Sequence, residues 1–228
     1  GIIQLTEFDN FAYHEMMAHV PLMIHPNPER VLIVGGGDGG VLKEALKHSC
    51  VKEVFLCEID QDVITVCQKH FPDLSSGYQD PRVTVVIDDA AKFISTKPDY
   101  FDVICVDSSD PIGPALSLFN KKFYENISKA LTEEGISVSQ SESMYFHAEF
   151  IASLYKQNKE IFPIVDYYYT LIPTYPSGTI GYAYCSKKYS PQEKLGPKRI
   201  RDLENLKYYN VDIHKSAFAL PEFLKTKL

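Results

Sequence analysis

Acidic residues recur where apolar runs of this chain end. Asp38 follows residues 31–34, Glu58 and Asp60 follow 54–57, Asp88 and Asp89 follow 83–87, and Asp107 and Asp110 follow 103–106. No Lys or Arg stands among these seven positions. If the four runs are neighbouring parallel strands, their carboxyl ends line one crevice, and that crevice is acidic and suited to a cationic small molecule.

Each carboxylate has a chemical and a structural reading. Asp38 lies in Gly35-Gly36-Gly37-Asp38-Gly39-Gly40, where Gly35, Gly37 and Gly40 meet the G-x-G-x-x-G spacing that lets backbone approach a nucleotide. An acid there repels the pyrophosphate that a dinucleotide site holds at its helix N-terminus. The loop is therefore nucleotide-related without being a phosphate cradle. Glu58 can accept hydrogen bonds from two ribose hydroxyls, or it can supply negative charge to the start of the next helix. Asp60 suits the cap of that helix, which leaves Glu58 for a ligand. Asp88 and Asp89 divide between an adenine amino group and a helix cap, and the order of the two roles stays open.

Asp107-Ser108-Ser109-Asp110-Pro111 can be a turn, since Asp before Pro favours one. Clustered carboxylates also bind hard cations, but no His or further acid stands at ligand spacing nearby, so no metal is expected. Asp107, at a strand end, is the candidate general base. A primary amine has a pKa of about 10.4, and the roughly 3 units separating it from neutral pH correspond to about 4 to 5 kcal/mol. A carboxylate in a desolvated pocket helps lower that barrier.

The elements that must position these groups follow from periodicity. Strands are expected at 31–34, 54–57, 83–87 and 103–106, with helices near 41–48 and 60–70 between them, an alternation that gives a parallel sheet. Further on, the pattern predicts a helix over 120–131, a strand over 135–139 and a helix over 148–161. Strands near 164–171 and 179–185 then form an antiparallel hairpin across the loop 173–178. The polar tail from Ser190 holds short helical pieces, 221–227 the clearest. The opening residues Gly1-Ile2-Ile3-Gln4 look like the middle of a strand.

With 228 residues, 45% apolar and 23% charged, the chain suffices for one main domain. A formal charge of -7 argues against nucleic acid or an anionic membrane as partner. The five cysteines lack C-x-x-C pairs and suit reduced thiols, and no apolar run reaches transmembrane length, so a cytoplasmic location is expected.

Several segments taken in order resemble a known family. They are Gln4-Leu5-Thr6-Glu7, Tyr13-His14-Glu15-Met16, His25-Pro26-Asn27-Pro28, the glycine loop, Cys57-Glu58-Ile59-Asp60, the run from Asp107 to Pro114, Ile172-Pro173-Thr174-Tyr175-Pro176-Ser177-Gly178, and Leu206-Lys207-Tyr208-Tyr209-Asn210. Together they look like spermidine synthase, of the polyamine aminopropyltransferase family. The resemblance implies a class I methyltransferase-like Rossmann fold, with a mostly parallel sheet and a C-terminal antiparallel hairpin, over residues 10–228. Residues 1–9 would be the remnant of a small β-rich N-terminal domain that is otherwise missing, and the enzyme would be a homodimer. It implies transfer of an aminopropyl group from decarboxylated S-adenosylmethionine, a co-substrate, to putrescine, with no cofactor.

By the same resemblance Asp107 is the base and shares a diamine-binding motif with Asp110, while Tyr13 and Tyr175 line the diamine channel. Asp38 would hold the aminopropyl ammonium, Glu58 the ribose, and Asp89 with Ala90 the adenine. Gln4, His14 and Gln140 complete the pocket. Two departures stand out. Family members often carry Gly-Asp-Gly where this chain has Asp88-Asp89-Ala90, and a Trp where Tyr145 stands; Tyr145 is expected to wall the channel in its place. Retention of Asp38 separates the chain from putrescine N-methyltransferases, and the loop and the Tyr175 segment separate it from spermine synthases. A non-catalytic nucleoside or polyamine sensor is the competing class.

Overall fold

The computed structural model describes residues 3–109, 117–192, 199–200 and 202–228. It begins with a helix, α1 (Asn10–Ile24), whose surface is buried almost all round. Such a helix has no polar face and hence no amphipathic period to betray it. Pro21 lies inside it and has no N–H to offer the Met17 carbonyl. The Cys105 thiol lies 3.7 Å from that oxygen, and Arg199 donates to the carbonyls of Leu22, His25 and Pro26 at the helix end.

The sheet follows as β1 (Arg30–Gly35), β2 (Glu53–Glu58), β3 (Val83–Ile87), β4 (Phe101–Asp107), β5 (Leu131–Gln140), β6 (Ile164–Leu171) and β7 (Thr179–Ser186), in the order β3-β2-β1-β4-β5-β7-β6. β1 to β5 pair in parallel, and β7 lies antiparallel to both β5 and β6. The predicted parallel sheet and terminal hairpin are both present. The connecting helices are α2 (Gly40–Leu46), α3 (Gln61–His70), α4 (Ala90–Ser95), α5 (Lys121–Ala130) and α6 (Met144–Lys159), with a 3-10 turn over Leu74–Gln79. The tail adds α7 (Val211–Ala217) and α8 (Glu222–Lys225).

Period-two alternation places helices on both faces. Along β1, Val31 and Ile33 join the core beneath α1 and α2, whereas Leu32 and Val34 face Phe123, Tyr124 and Ile127 of α5 on the other side. At about 25 cal/mol per Å² of apolar surface, each such side chain contributes roughly 1.5 to 3 kcal/mol.

Three expectations shift. Residues 3–6 form no strand; Ile3, Gln4 and Leu5 line the crevice, where the Gln4 carbonyl accepts from the Tyr175 hydroxyl at 2.7 Å. The strand expected at 135–139 starts at Leu131, ending α5 one residue early, because Leu131 already pairs with Phe101 before a register shift. The helix expected from 148 begins at Met144, capped by the Ser143 side chain and kinked at His147. Tyr145 and Phe146 in its first turn are exposed, which hides that turn from an apolar pattern.

Candidate active site

Strand order reverses between β1 and β4, and in open α/β sheets the ligand crevice opens beyond the carboxyl ends at such a point. A cavity of about 850 Å³ lies there. Asp107, the last residue of β4, pairs in register with Gly35, the last of β1. A Cβ at Gly35 would stand 2.2 Å from the Asp107 carbonyl oxygen, and the residue has φ +71°, so glycine is required for the two strand ends to meet.

The Asp107 side chain is the electrostatic centre of the cavity. Its Oδ1 accepts from the Tyr13 hydroxyl at 2.7 Å, and its Oδ2 is buried with no partner among the described residues. Burial pushes the carboxyl up to about 7, helped by the Asp38 charge and, more weakly, Glu58, against the opposing pull of His14 and the Tyr13 bond. Asp38 accepts from the Gly40 N–H at 2.6 Å and lies 3.5 Å from His14 Nε2. Burial pushes Asp38 up, but the His14 charge and the hydrogen bonds outweigh it and hold the acid below its ordinary range. For His14, burial pushes downward and the Asp38 carboxylate wins, raising the imidazole. His14, Asp38 and Asp107 each offer one atom, and the three atoms lie within 4.8 Å of one another. That spacing suits a single cationic centre. The sequence places no His near Asp107; α1 brings one there by packing on α2, where a Cβ on Gly40 would stand only 2.3 Å from the His14 ring.

Glu58 ends β2, and its Oε1 accepts from the backbone of Ile59 at 2.8 Å and of Asp60 at 3.0 Å. Its Oε2 faces Gly37, 2.9 Å from where a Cβ would stand. Asp60 caps α3 through the Asp62 N–H and does not line the cavity, so the expected row of crevice acids loses this member. Asp89 lines the cavity and also caps α4, at 2.8 Å from the Ala91 nitrogen. Asp88 lines it too, while bonding the Asp89 N–H and pairing with Lys92 at 3.1 Å. Ala90, Gln4, Tyr13, His14, Gln140 and Tyr175 all line the same cavity. Gln140 ends β5 with its Oε1 buried and without a partner among the described residues. Asp110 lies outside the described residues.

Tyr145 does not wall the cavity; it is exposed and packs on Phe223, and Phe146 and His147 take the position instead. Further residues also enter the wall. Asp9 lines the rim, and Glu142 pairs with His147 at 3.1 Å beside the hydroxyls of Ser143, Ser177 and Thr179. Glu142 has φ +61°, a strained value for a residue with a side chain, and its carbonyl accepts from Gly181 N–H and the Tyr167 hydroxyl. In the sequence, Gln140 and Glu142 form a polar pair just after the strand expected at 135–139, and that pair is the signal for this group.

The model for the spermine/spermidine synthase domain matches residues 10–195. The chain is 49% identical to a polyamine aminopropyltransferase of Leptospira biflexa over 226 residues, 99% of this chain and 80% of the relative. It is 46% identical to a spermidine synthase of Dictyostelium discoideum over 228 residues, 100% and 80% respectively. Among solved structures, a spermidine synthase in complex with the transition-state analogue AdoDATO superposes with a TM-score of 0.96 at 41% identity, covering 100% of this chain and 78% of that one. The spermidine synthase of Thermotoga maritima superposes with a TM-score of 0.93, also at 41% identity, covering 100% and 77%.

Proposed function

The chain belongs to the spermine/spermidine synthase family, and from that premise we propose that it moves an aminopropyl group from decarboxylated S-adenosylmethionine to putrescine, giving spermidine and 5′-methylthioadenosine. The observation that carries this reading is the Asp107 carboxyl, buried, raised to about 7 and left with one open oxygen beside an acid and a histidine. A relative's structure with a transition-state analogue supports the same chemistry.

Asp107 accepts a proton from the attacking ammonium of the diamine, leaving a neutral amine. The amine nitrogen then attacks the aminopropyl carbon bonded to sulfur. The carbon–nitrogen bond forms as the carbon–sulfur bond breaks, and sulfur keeps the electron pair and leaves as a neutral thioether. Sulfonium carbon is electrophilic already, so positioning and deprotonation are the protein's main tasks. Asp38 holds the ammonium of the aminopropyl chain, with its charge kept by His14. Glu58 offers its open oxygen to the ribose, and Asp89 with Ala90 meets the adenine. Tyr13 fixes the base by its hydrogen bond, and Gln140 and Tyr175 border the diamine. Two copies are expected to pair, and light scattering at twice the chain mass checks that.

The test is product mass spectrometry after incubation with putrescine and either decarboxylated or intact S-adenosylmethionine. Spermidine and 5′-methylthioadenosine from the decarboxylated donor alone are expected. N-methylputrescine from the intact donor would overturn the reading in favour of a methyltransferase, and no product from either would favour a sensor.

A further inference from the structure

Asp9 directly precedes α1, where an acid ordinarily caps the helix through its side chain. Here the carboxylate makes no cap bond to the helix. It is 3% exposed and turned toward the loop between β6 and β7. Its Oδ2 accepts from the Thr174 N–H at 2.9 Å, and the Thr174 hydroxyl lies 2.9 and 2.8 Å from Oδ1 and Oδ2. Oδ1 also accepts from the Thr6 hydroxyl at 2.7 Å. The segment before α1 is tied in turn, with the Thr6 carbonyl accepting from the backbone and side-chain amides of Asn10. One buried carboxylate thus joins three segments, two of them 165 residues apart.

Both neighbours of this junction lie in the cavity wall. Tyr175 follows Thr174 and donates to the Gln4 carbonyl at 2.7 Å. Tyr13, one helical turn after Asp9, donates to Asp107. The loop is internally braced by Ile172 N–H to the Gly178 carbonyl and Gly178 N–H to the Tyr175 carbonyl. The strands on either side of the loop are held to α1 by the Tyr168 and Tyr182 hydroxyls, which donate to the Met16 and Tyr13 carbonyls, and the Asp9 carboxylate ties the loop itself to the start of α1. Glu58 and Asp89, on the opposite side, are held by bonds within their own strand-end loops.

We propose that Asp9 and Thr174 form a latch that fixes the Tyr175 loop against α1, making Asp9 a positioning residue for the diamine and not for the nucleoside donor. This rests on the aminopropyl-transfer reading. Removal of the carboxylate frees the loop from α1 and widens the diamine side of the cavity, while the glycine loop and Glu58 keep their places.

Steady-state kinetics with putrescine and decarboxylated S-adenosylmethionine test this on the full chain. Asp9→Ala is expected to raise the KM for putrescine about tenfold or more, with the donor KM and calorimetric affinity for 5′-methylthioadenosine within about twofold of wild type. Thr174→Val is expected to move in the same direction, and Thr174→Ser to recover toward wild type, since it restores the hydroxyl. Hydrogen exchange provides a readout independent of turnover: the amide at position 174, which donates to the Asp9 carboxylate, is expected to exchange faster in Asp9→Ala and Thr174→Val, while the Gly178 amide, bonded within the loop, keeps its protection. An unchanged putrescine KM, an equal rise for both substrates, or unchanged exchange would overturn the latch. If Asp9→Ala does not fold, the Thr174 pair decides by the same measurements. A wild-type chain without aminopropyl transfer would refute the functional reading, and exchange at residues 172–178 would still judge the latch.

Discussion

The two sides of the crevice are built by different means. On one side, Asp38, Glu58 and Asp89 stand at or within three residues of the ends of β1, β2 and β3, and each is fixed by backbone N–H groups within two residues of itself. On the other, Tyr13, Asp9, Gln4 and Tyr175 come from α1, the segment before it and a hairpin loop, joined by hydrogen bonds spanning 94 to 171 residues. Local loops place a carboxylate wherever the strand places its end. The assembled side exists only once the sheet, α1 and the hairpin have docked. The difference teaches that the locally built side should tolerate perturbation elsewhere in the fold, whereas the assembled side should respond to it.

Asp107 sits where the two sides meet, and its loss breaks the comparison most severely. Asp107→Asn is expected to lower turnover by about 10²- to 10⁴-fold, the usual reach of a general base, with affinity for 5′-methylthioadenosine nearly unchanged. Calorimetry beside a kinetic assay checks both. The same variant should be more stable than wild type at high pH. The carboxyl ionises near 3.8 unfolded and near 7 folded, so its stabilising effect is complete below 3.8 and lost as pH rises through 7. Thermal melts at pH 8 should therefore favour the variant, and melts near pH 3.8 should not distinguish the two by this cause. In wild type, turnover should rise with pH through about 7 as the base ionises.

Gly35→Ala attacks the strand-end contact that both sides share. Its Cβ would meet the Asp107 carbonyl at 2.2 Å on a left-handed backbone, so a loss of about 2 to 4 kcal/mol is expected in denaturant titration. Glu58→Gln isolates the local side. It removes a charge-assisted acceptor, and the donor KM should rise about tenfold or more with the putrescine KM unchanged. The smallest effect falls on the assembled side: Tyr175→Phe removes the hydroxyl that donates to the Gln4 carbonyl while keeping the ring, and a change of about two- to fivefold in the putrescine KM is expected. If Glu58→Gln instead raised both KM values equally, the two sides would not be separable.

Much of this was legible in the residues. The strands from β1 to β4 carry dense apolar runs that end in acids, so their positions, their parallel pairing and the crevice beyond them follow from local pattern. Asp60 as a cap and Glu58 as a cavity residue follow from their positions relative to α3. α1 was not legible as a helix, because burial on every side erases the polar face from which a helix is read. The first turn of α6 was hidden by exposed Tyr145 and Phe146, and the exposed position of Tyr145 removed it from the cavity wall.

The sequence by itself determined which carboxylates stand at strand ends and that the glycine loop brings an acid, not a phosphate cradle, to the first of them. Those are consequences of chain neighbours, which remain neighbours in any fold. Only the tertiary structure decided that His14 lies against Asp38, that Asp9 bonds Thr174 instead of capping α1, and that Asp107 keeps its proton up to about 7. The reason is electrostatic: a carboxyl's proton affinity depends on the water excluded from it and on charges drawn close by packing, and both are set by segments far away along the chain.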